Sequence, residues 1–546
     1  MPRLADTVRV DESADGAHWL VSVKGVPVSR ASSSVAATLR AMDGTATLEE
    51  LRRRFAPDQT PDDFAGLVDR FRRVGLLHGA ERRVAGRLTY RPPLTVQLAT
   101  LRAPAVFARV HRLLRPLLRR WLVWPLLALI VAGAGALAVQ ADAVVSAVTS
   151  PMPLGDLLLV VVVLVAATLV HEAAHGLALT HGGARPRRAG FMLLYLGPAF
   201  FVDVTDAWRL PTRGARVAVA LAGPAVHAVL GAAAAVAALA APDAALHRVL
   251  LVLAGACALV VAVNLIPFVR FDGYIALMSA IDEPNLRART MADAASALRL
   301  LLFGGERAPR HLTRWWSVPF GVLCAVVPTV FVCTAIERVV RGLAGAGPAG
   351  ALVVLVLEAA VAVAVGLAVV RWLRGCWLRG YGRARFLLMS GAVAAAVVWT
   401  AAVTPVDDVR TVGFIADGDR TVLVAPDGAS DLGPVADGIP VDLITSGMLT
   451  DATLARGIVH AEPAQNRVVA LTAFSPIDVP GVDVDARSIG VVELPPDISL
   501  PPAGRASLHL GSRSLLNAAW TSHVAEPAAV LLSFLNPPTP EQKEGR

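Results

Sequence analysis

Charge is scarce in this chain of 546 residues. Only 17% of the residues are charged and 55% are hydrophobic, whereas soluble domains usually carry about a quarter charged. With a mean hydropathy of +0.58, that excludes an ordinary soluble protein and points to one built for a lipid bilayer. Lysine is nearly missing, with Lys24 and Lys543 alone, so the formal net charge of +8 rests on arginine. The arginines mostly flank apolar segments, where they act as orientation signals, and no nucleic-acid site is read from them. Cysteine is sparse too. Cys257, Cys324, Cys333 and Cys376 lie in or beside apolar segments without paired spacing, which excludes a disulfide framework and a cysteine metal site. The first 100 residues hold no signal-peptide pattern, so the N-terminus is expected in the cytoplasm. The arginine and alanine bias fits a GC-rich bacterial genome, hence a bacterial inner membrane.

What the chain does have begins with a small domain at 1–85. HWLVSVKGVPVSRA alternates like a hairpin turning at Lys24-Gly25, and Ser32 can cap a helix reaching Met42. Asp43-Gly44 breaks it, Thr47 to Glu50 forms a capping box, and Thr60-Pro61 opens a helix ending at Gly75. Two strands and three short helices make a winged-helix-like α+β module, which on pattern alone fits a packing or regulatory domain as well as a binding one. The order of WLV, a small-residue helix, MDGTATLEELRRRF and VGLL resembles the PqqD-like domain, or RiPP recognition element. That resemblance implies binding of a leader peptide as an added strand. Residues 86–120 read as a basic amphipathic linker.

A bilayer crossing needs roughly 20 apolar residues. Seven spans qualify: Trp121–Gln140, Leu154–Thr180, Val217–Ala240, Val249–Val269, Ser317–Ile336, Ala349–Val370 and Phe386–Val403. Fold class is therefore mostly α, a polytopic helical membrane protein with its core at 121–404. Arginine-rich loops before the first span and after the second, fourth and sixth put those ends in the cytoplasm, although Arg338 and Arg341 depart from the pattern. Seven crossings place the C-terminus outside, where residues 405–535 read as a β-rich extracytoplasmic domain and 536–546 as a disordered tail. AGFMLLYLGPAFFVDV, from Ala189 to Val204, is too short and broken to cross and reads as a membrane-dipping hairpin.

The chemistry sits in HEAAHGLALTH, from His171 to His181. On a helix, His171 and His175 lie one turn apart and can reach one metal ion, with Glu172 beside them to take a proton from water. Such a motif on a soluble helix is often just a surface, but burying a histidine pair and a carboxylate in a membrane helix demands a compensating partner. Three protein ligands make a catalytic zinc site, so one is missing. His181 lies roughly 15 Å along a continuing helix and cannot share the ion. Asp272, in VNLIPFVRFDGY after the fourth span, is the better candidate, since the second and fourth spans both descend to the cytoplasm and Pro267 and Gly273 would let the carboxylate turn inward.

HEAAH followed by N-x-x-P-x-x-x-x-D-G resembles the site-2 protease family of intramembrane zinc metalloproteases. The resemblance implies His171, His175 and Asp272 as ligands of one catalytic Zn2+, Glu172 as general base, and Asn264 as the residue holding the substrate or steadying the oxyanion. Leu-Ala-Gly-Pro at Gly223 and Pro224 fits the family, while His227 stands where many members carry asparagine. RFDGY, EPNLRAR and FFVDVTDAWRLP add a narrower likeness to bacterial peptide zinc metalloprotease-like members that carry a PqqD-like domain. The expected function is cleavage of a precursor or leader peptide in the making of a ribosomal, modified peptide, a daptide-type pathway being one such setting. Two alternatives stay open: regulated intramembrane proteolysis of a membrane-bound signalling protein, and a noncatalytic peptide-binding or export accessory. The expected partners are a peptide or membrane-protein substrate and the lipid bilayer; no nucleic acid is expected, and the oligomeric state is left open.

Overall fold

Helix caps written in the sequence fix the N-terminal helices. The computed structural model describes residues 1–535 except 13–18, 24–25, 80–86, 92–94, 195–196, 306–308, 344–346, 379–381, 419, 427–434, 449, 496–497 and 499. The tail 536–546 and the Lys24-Gly25 turn thus lie outside the described residues. Strands β1 (Val8–Glu12), β2 (Trp19–Val23) and β3 (Val26–Ala31) form one antiparallel sheet in that order. Helices α1 (Ser33–Arg40), α2 (Leu48–Phe55) and α3 (Pro61–Val74) follow. Ser32 caps α1, Thr47 and Glu50 exchange both bonds of a capping box on α2, and Thr60 caps α3. At the end of α3, Gly75 adopts φ +81°, the left-handed conformation that glycine takes without steric cost.

The sheet has three strands where the sequence suggested two. In β1 only Val8 and Val10 alternate inward, opposite Val23 and Val21, and a signal of two residues is too short to stand out. Leu39, Met42, Leu51 and Phe64 close the core beneath it. Thr47→Ala is expected to cost about 1 kcal/mol, seen as faster amide exchange across α2 with α3 unchanged.

The chain continues through β4 (Leu88–Arg91), β5 (Thr95–Thr100), α4 (Ala103–Leu114), α5 (Val123–Val139), α6 (Ala141–Thr149), β6 (Met152–Pro153) and α7 (Leu154–His181). Next come β7 (Ala189–Leu194), β8 (Gly197–Val202), α8 (Arg213–Ala238), α9 (Ala244–Asn264) and α10 (Asp272–Ala280). The helices α11 (Leu286–Phe303), α12 (Ser317–Leu343), α13 (Gly347–Trp377) and α14 (Arg383–Val403) complete the helical part. Six of these, α7, α8, α9, α12, α13 and α14, are long and apolar enough to cross a membrane, and α5 with α6 makes a seventh if the pair, bent by 75°, counts as one.

By contacts the chain divides into Met1–Val144 with Leu159–Leu286, and Val145–Leu158 with Arg287–Arg546. In the first unit, the stretch read as an amphipathic linker is partly sheet. Its strands β4 and β5 join β7 and β8 in the order β4-β5-β7-β8. The 189–204 segment is indeed a hairpin, and β8 is an edge strand. A second departure is α9, which stops at Asn264 rather than Val269. Pro267 cannot continue a helix, and after a turn Asp272 becomes the first residue of α10.

The second unit holds a barrel. Its strands are β9 (Pro405–Asp417), β10 (Arg420–Pro426), β11 (Pro440–Ile444), β12 (Thr453–His460), β13 (Asn466–Ala470), β15 (Asp483–Glu493) and β16 (Ala503–Ser514), with the two-residue β14 (Ile477–Asp478) paired to β6 instead. The sheet runs β10-β9-β16-β11-β12-β15-β13, and an added β10–β15 pairing closes it, which removes the exposed edges between those strands. The sequence expected β structure to 535, yet after Ser514 the chain is helical, α15 (Leu515–Trp520), a π turn and α16 (Glu526–Leu535). Pro527 near the start of α16 has no N–H to donate, which suits a π turn there. In that turn His523 meets Glu358 of α13 at 2.6 Å and Glu337 of α12 at 3.2 Å.

Candidate metal centre

The buried positions of α7 include Val160, Ala167, His171, His175 and Leu179, a stripe at helical spacing that turns both motif histidines inward. Each is 6% exposed. Their Nε2 atoms stand 3.3 Å apart. Asp272 completes the set from α10, with Oδ2 3.1 Å from His171 Nε2 and Oδ1 3.4 Å from His175 Nε2. Two imidazole nitrogens and a carboxylate thus converge on one point from two helices. Gly273 lets α10 start there, because a Cβ on it would lie 2.3 Å from the Leu265 carbonyl oxygen.

Helix α8 forms another wall. A Cβ on Gly223 would sit 2.3 Å from His175 Nε2 and 2.5 Å from His171 Nε2, so the bare glycine keeps that face of the convergence point open. The Val219 carbonyl of α8 lies 2.7 Å from His175 Nδ1. A carbonyl can only accept, so Nδ1 carries the proton and the Nε2 lone pair faces the centre. Donor type, number and the glycine cradle all fit a zinc ion, for which two histidines and a carboxylate are a known catalytic set.

Glu172 offers its carboxylate within 4.8 Å of the two imidazole ligand atoms. Its Oε2 accepts the backbone N–H of Val202, on edge strand β8, at 3.1 Å. The Glu172 carboxylate is therefore held beside a strand edge.

Glu172, His175 and Asp272 open on a cavity of about 390 Å³, in the range of sites that hold a small ligand or a short piece of chain. Its far wall includes Gln97, Arg188, Phe201, Trp208 and Arg216. Arg188 donates to Gln97 Oε1 at 3.0 Å and lies 3.4 Å from Asp203, while Arg216 pairs with Asp282 at 2.6 Å. Sequence reasoning singled out the segment that carries Phe201 and Trp208 but missed Gln97, Arg188 and Arg216. Gln97 lay in the supposed linker, and Arg188 stood in RPRR, where an orientation signal hid a buried role.

Asn264 does not line this cavity. It ends α9, and its Nδ2 donates one hydrogen bond to the Val260 carbonyl one turn back at 2.9 Å. His181 stands apart from the ligand set and lies 3.2 Å from His111 of α4. His227, on the same face of α8 as Gly223, is 1% exposed and packs edge-on against the His171 ring with centroids 5.4 Å apart. No protein-family model, curated protein or solved structure matches the chain.

Proposed function

We propose that this protein is a membrane-embedded zinc metalloprotease of the site-2 protease type. The observation that carries the reading is the convergence of His171, His175 and Asp272 with Glu172 alongside, the two histidines and Glu172 on α7, a helix long and apolar enough to cross a membrane, and Asp272 on the short helix α10. Zinc bound by the three ligands would supply Lewis-acid polarisation of a carbonyl and a more acidic water. Glu172 takes a proton from the attacking water and returns it to the leaving amine. The substrate must be extended, because helical carbonyls are occupied by their own hydrogen bonds, and the edge of β8 next to Glu172 gives such a peptide a strand to pair with.

The finer reading is cleavage of a precursor or leader peptide captured by the N-terminal domain. Its support is a contact: Arg209 donates to Ser22 of β2 at 3.3 Å, and the residues just before it, Val204 to Trp208, contribute to the cavity wall. One segment thus touches the domain through Arg209 and the site through Val204, Thr205, Ala207 and Trp208. In this reading the N-terminus is cytoplasmic, the barrel is outside, and the chain lies in a bacterial inner membrane.

Chelation tests the metal. Hydrolysis of co-expressed precursor peptide by the purified full chain should vanish after dialysis against a strong chelator and return with one equivalent of zinc. Activity that survives complete metal removal would end this reading.

A further inference from the structure

Zinc-bound histidines almost always donate their second ring N–H to an outer partner, which fixes the tautomer and orients the ring. His175 has that partner in the Val219 carbonyl. His171 does not: its Nδ1 is buried with no hydrogen-bond partner among the described residues. The ring packed against it is His227, whose two ring nitrogens are also buried without a partner among the described residues. An unsatisfied buried polar atom costs about 1–3 kcal/mol, and three such atoms on two touching rings are rarely left so.

We propose that His227 is the positioning residue of His171. One His227 nitrogen accepts the Nδ1–H of His171, directly after a small ring rotation or through one water, and so turns the His171 Nε2 lone pair toward the metal. The placement on α8 supports this. A Cβ at Gly223 would meet both ligand nitrogens, and His227 follows one turn later on the same face. The two ligands would then be held by one helix, His175 by its backbone and His171 by a side chain. His227 touches neither substrate nor the reacting atoms, so it is not a catalytic residue. The inference rests on the metal reading above.

The test uses the full-length protein in nanodiscs, stripped of metal and reloaded. Zinc affinity is read by competition with a chromophoric chelator, and the ligand field by the visible bands of the cobalt-substituted protein. His227→Phe keeps a ring and removes the hydrogen bond; it is expected to weaken zinc binding by about 10–100-fold and to shift the cobalt bands. His227→Asn keeps a short polar acceptor and is expected to recover most of both effects. Equal impairment in the two variants would reduce His227 to packing and overturn the proposal, as would unchanged affinity and bands in His227→Phe. A wild-type protein that binds neither zinc nor cobalt would remove the metal reading and this inference together.

Discussion

Glu172→Gln is expected to lower single-turnover peptide hydrolysis by about 10²–10⁴-fold, the usual contribution of a positioned general base, while zinc content stays at the wild-type level. The two results belong together because the substitution is nearly isosteric. A glutamine at 172 can still accept the Val202 N–H through its carbonyl oxygen, so the contact with β8 that holds the side chain need not break. What it cannot do is take a proton from water at neutral pH. The variant should therefore bind metal and substrate and fail to release product. Mass spectrometry of what co-purifies with it, compared with wild type, then separates the competing functions. A short precursor peptide retained only by the variant, and lost when residues 1–85 are deleted, supports leader capture and cleavage. A retained single-span membrane protein moves the reading to signalling proteolysis. Identical captures from both proteins would argue for a noncatalytic accessory.

Gly223→Ala should remove the metal without harming the helix that carries it. Alanine is favoured over glycine in a helix interior by about 1 kcal/mol, so α8 by itself gains. The added methyl, however, would lie 2.3 Å and 2.5 Å from the two Nε2 atoms, in the space that a shared ion would need. Either α8 moves away from α7, which breaks the His175 to Val219 contact, or the histidines turn aside. Both outcomes spoil a site whose ligands must sit within a few tenths of an ångström. Zinc affinity is expected to fall by at least about 10–100-fold, the loss typical when the groups orienting a metal ligand are disturbed. Helix content by circular dichroism should not change. Wild-type affinity in this variant would mean that α8 does not close on the ligands as described.

Much of this was written in the chain because it depends on neighbours in sequence. Thr47 and Glu50 cap α2 from three residues away, Gly75 ends α3 by its own backbone freedom, and each long apolar helix follows from an uninterrupted run of side chains. His171, Glu172 and His175 are legible for the same reason, since one turn of helix fixes their relation. Asp272 was reachable by combining span direction with a motif, although the reason for its position differs. It opens a new helix packed close at Gly273 instead of closing an old one.

Tertiary structure decided the rest. Residues 88–100 pair locally as β4 with β5, but their place in a larger sheet depends on β7 about ninety residues on, and that long-range pairing turns Gln97 into part of the cavity wall. Arg188 reads identically in sequence whether it faces headgroups or a buried amide. Asn264 carries a motif position, yet it lies outside the cavity lining and its Nδ2 donates to Val260 of its own helix. Gly223 and His227 are small or polar residues in an apolar helix until α7 packs against them. Sequence alone determined which groups could bind a metal. Packing between helices distant in the chain decided which of them meet, because close approach depends on the absent side chain at Gly223 as much as on the ligands present.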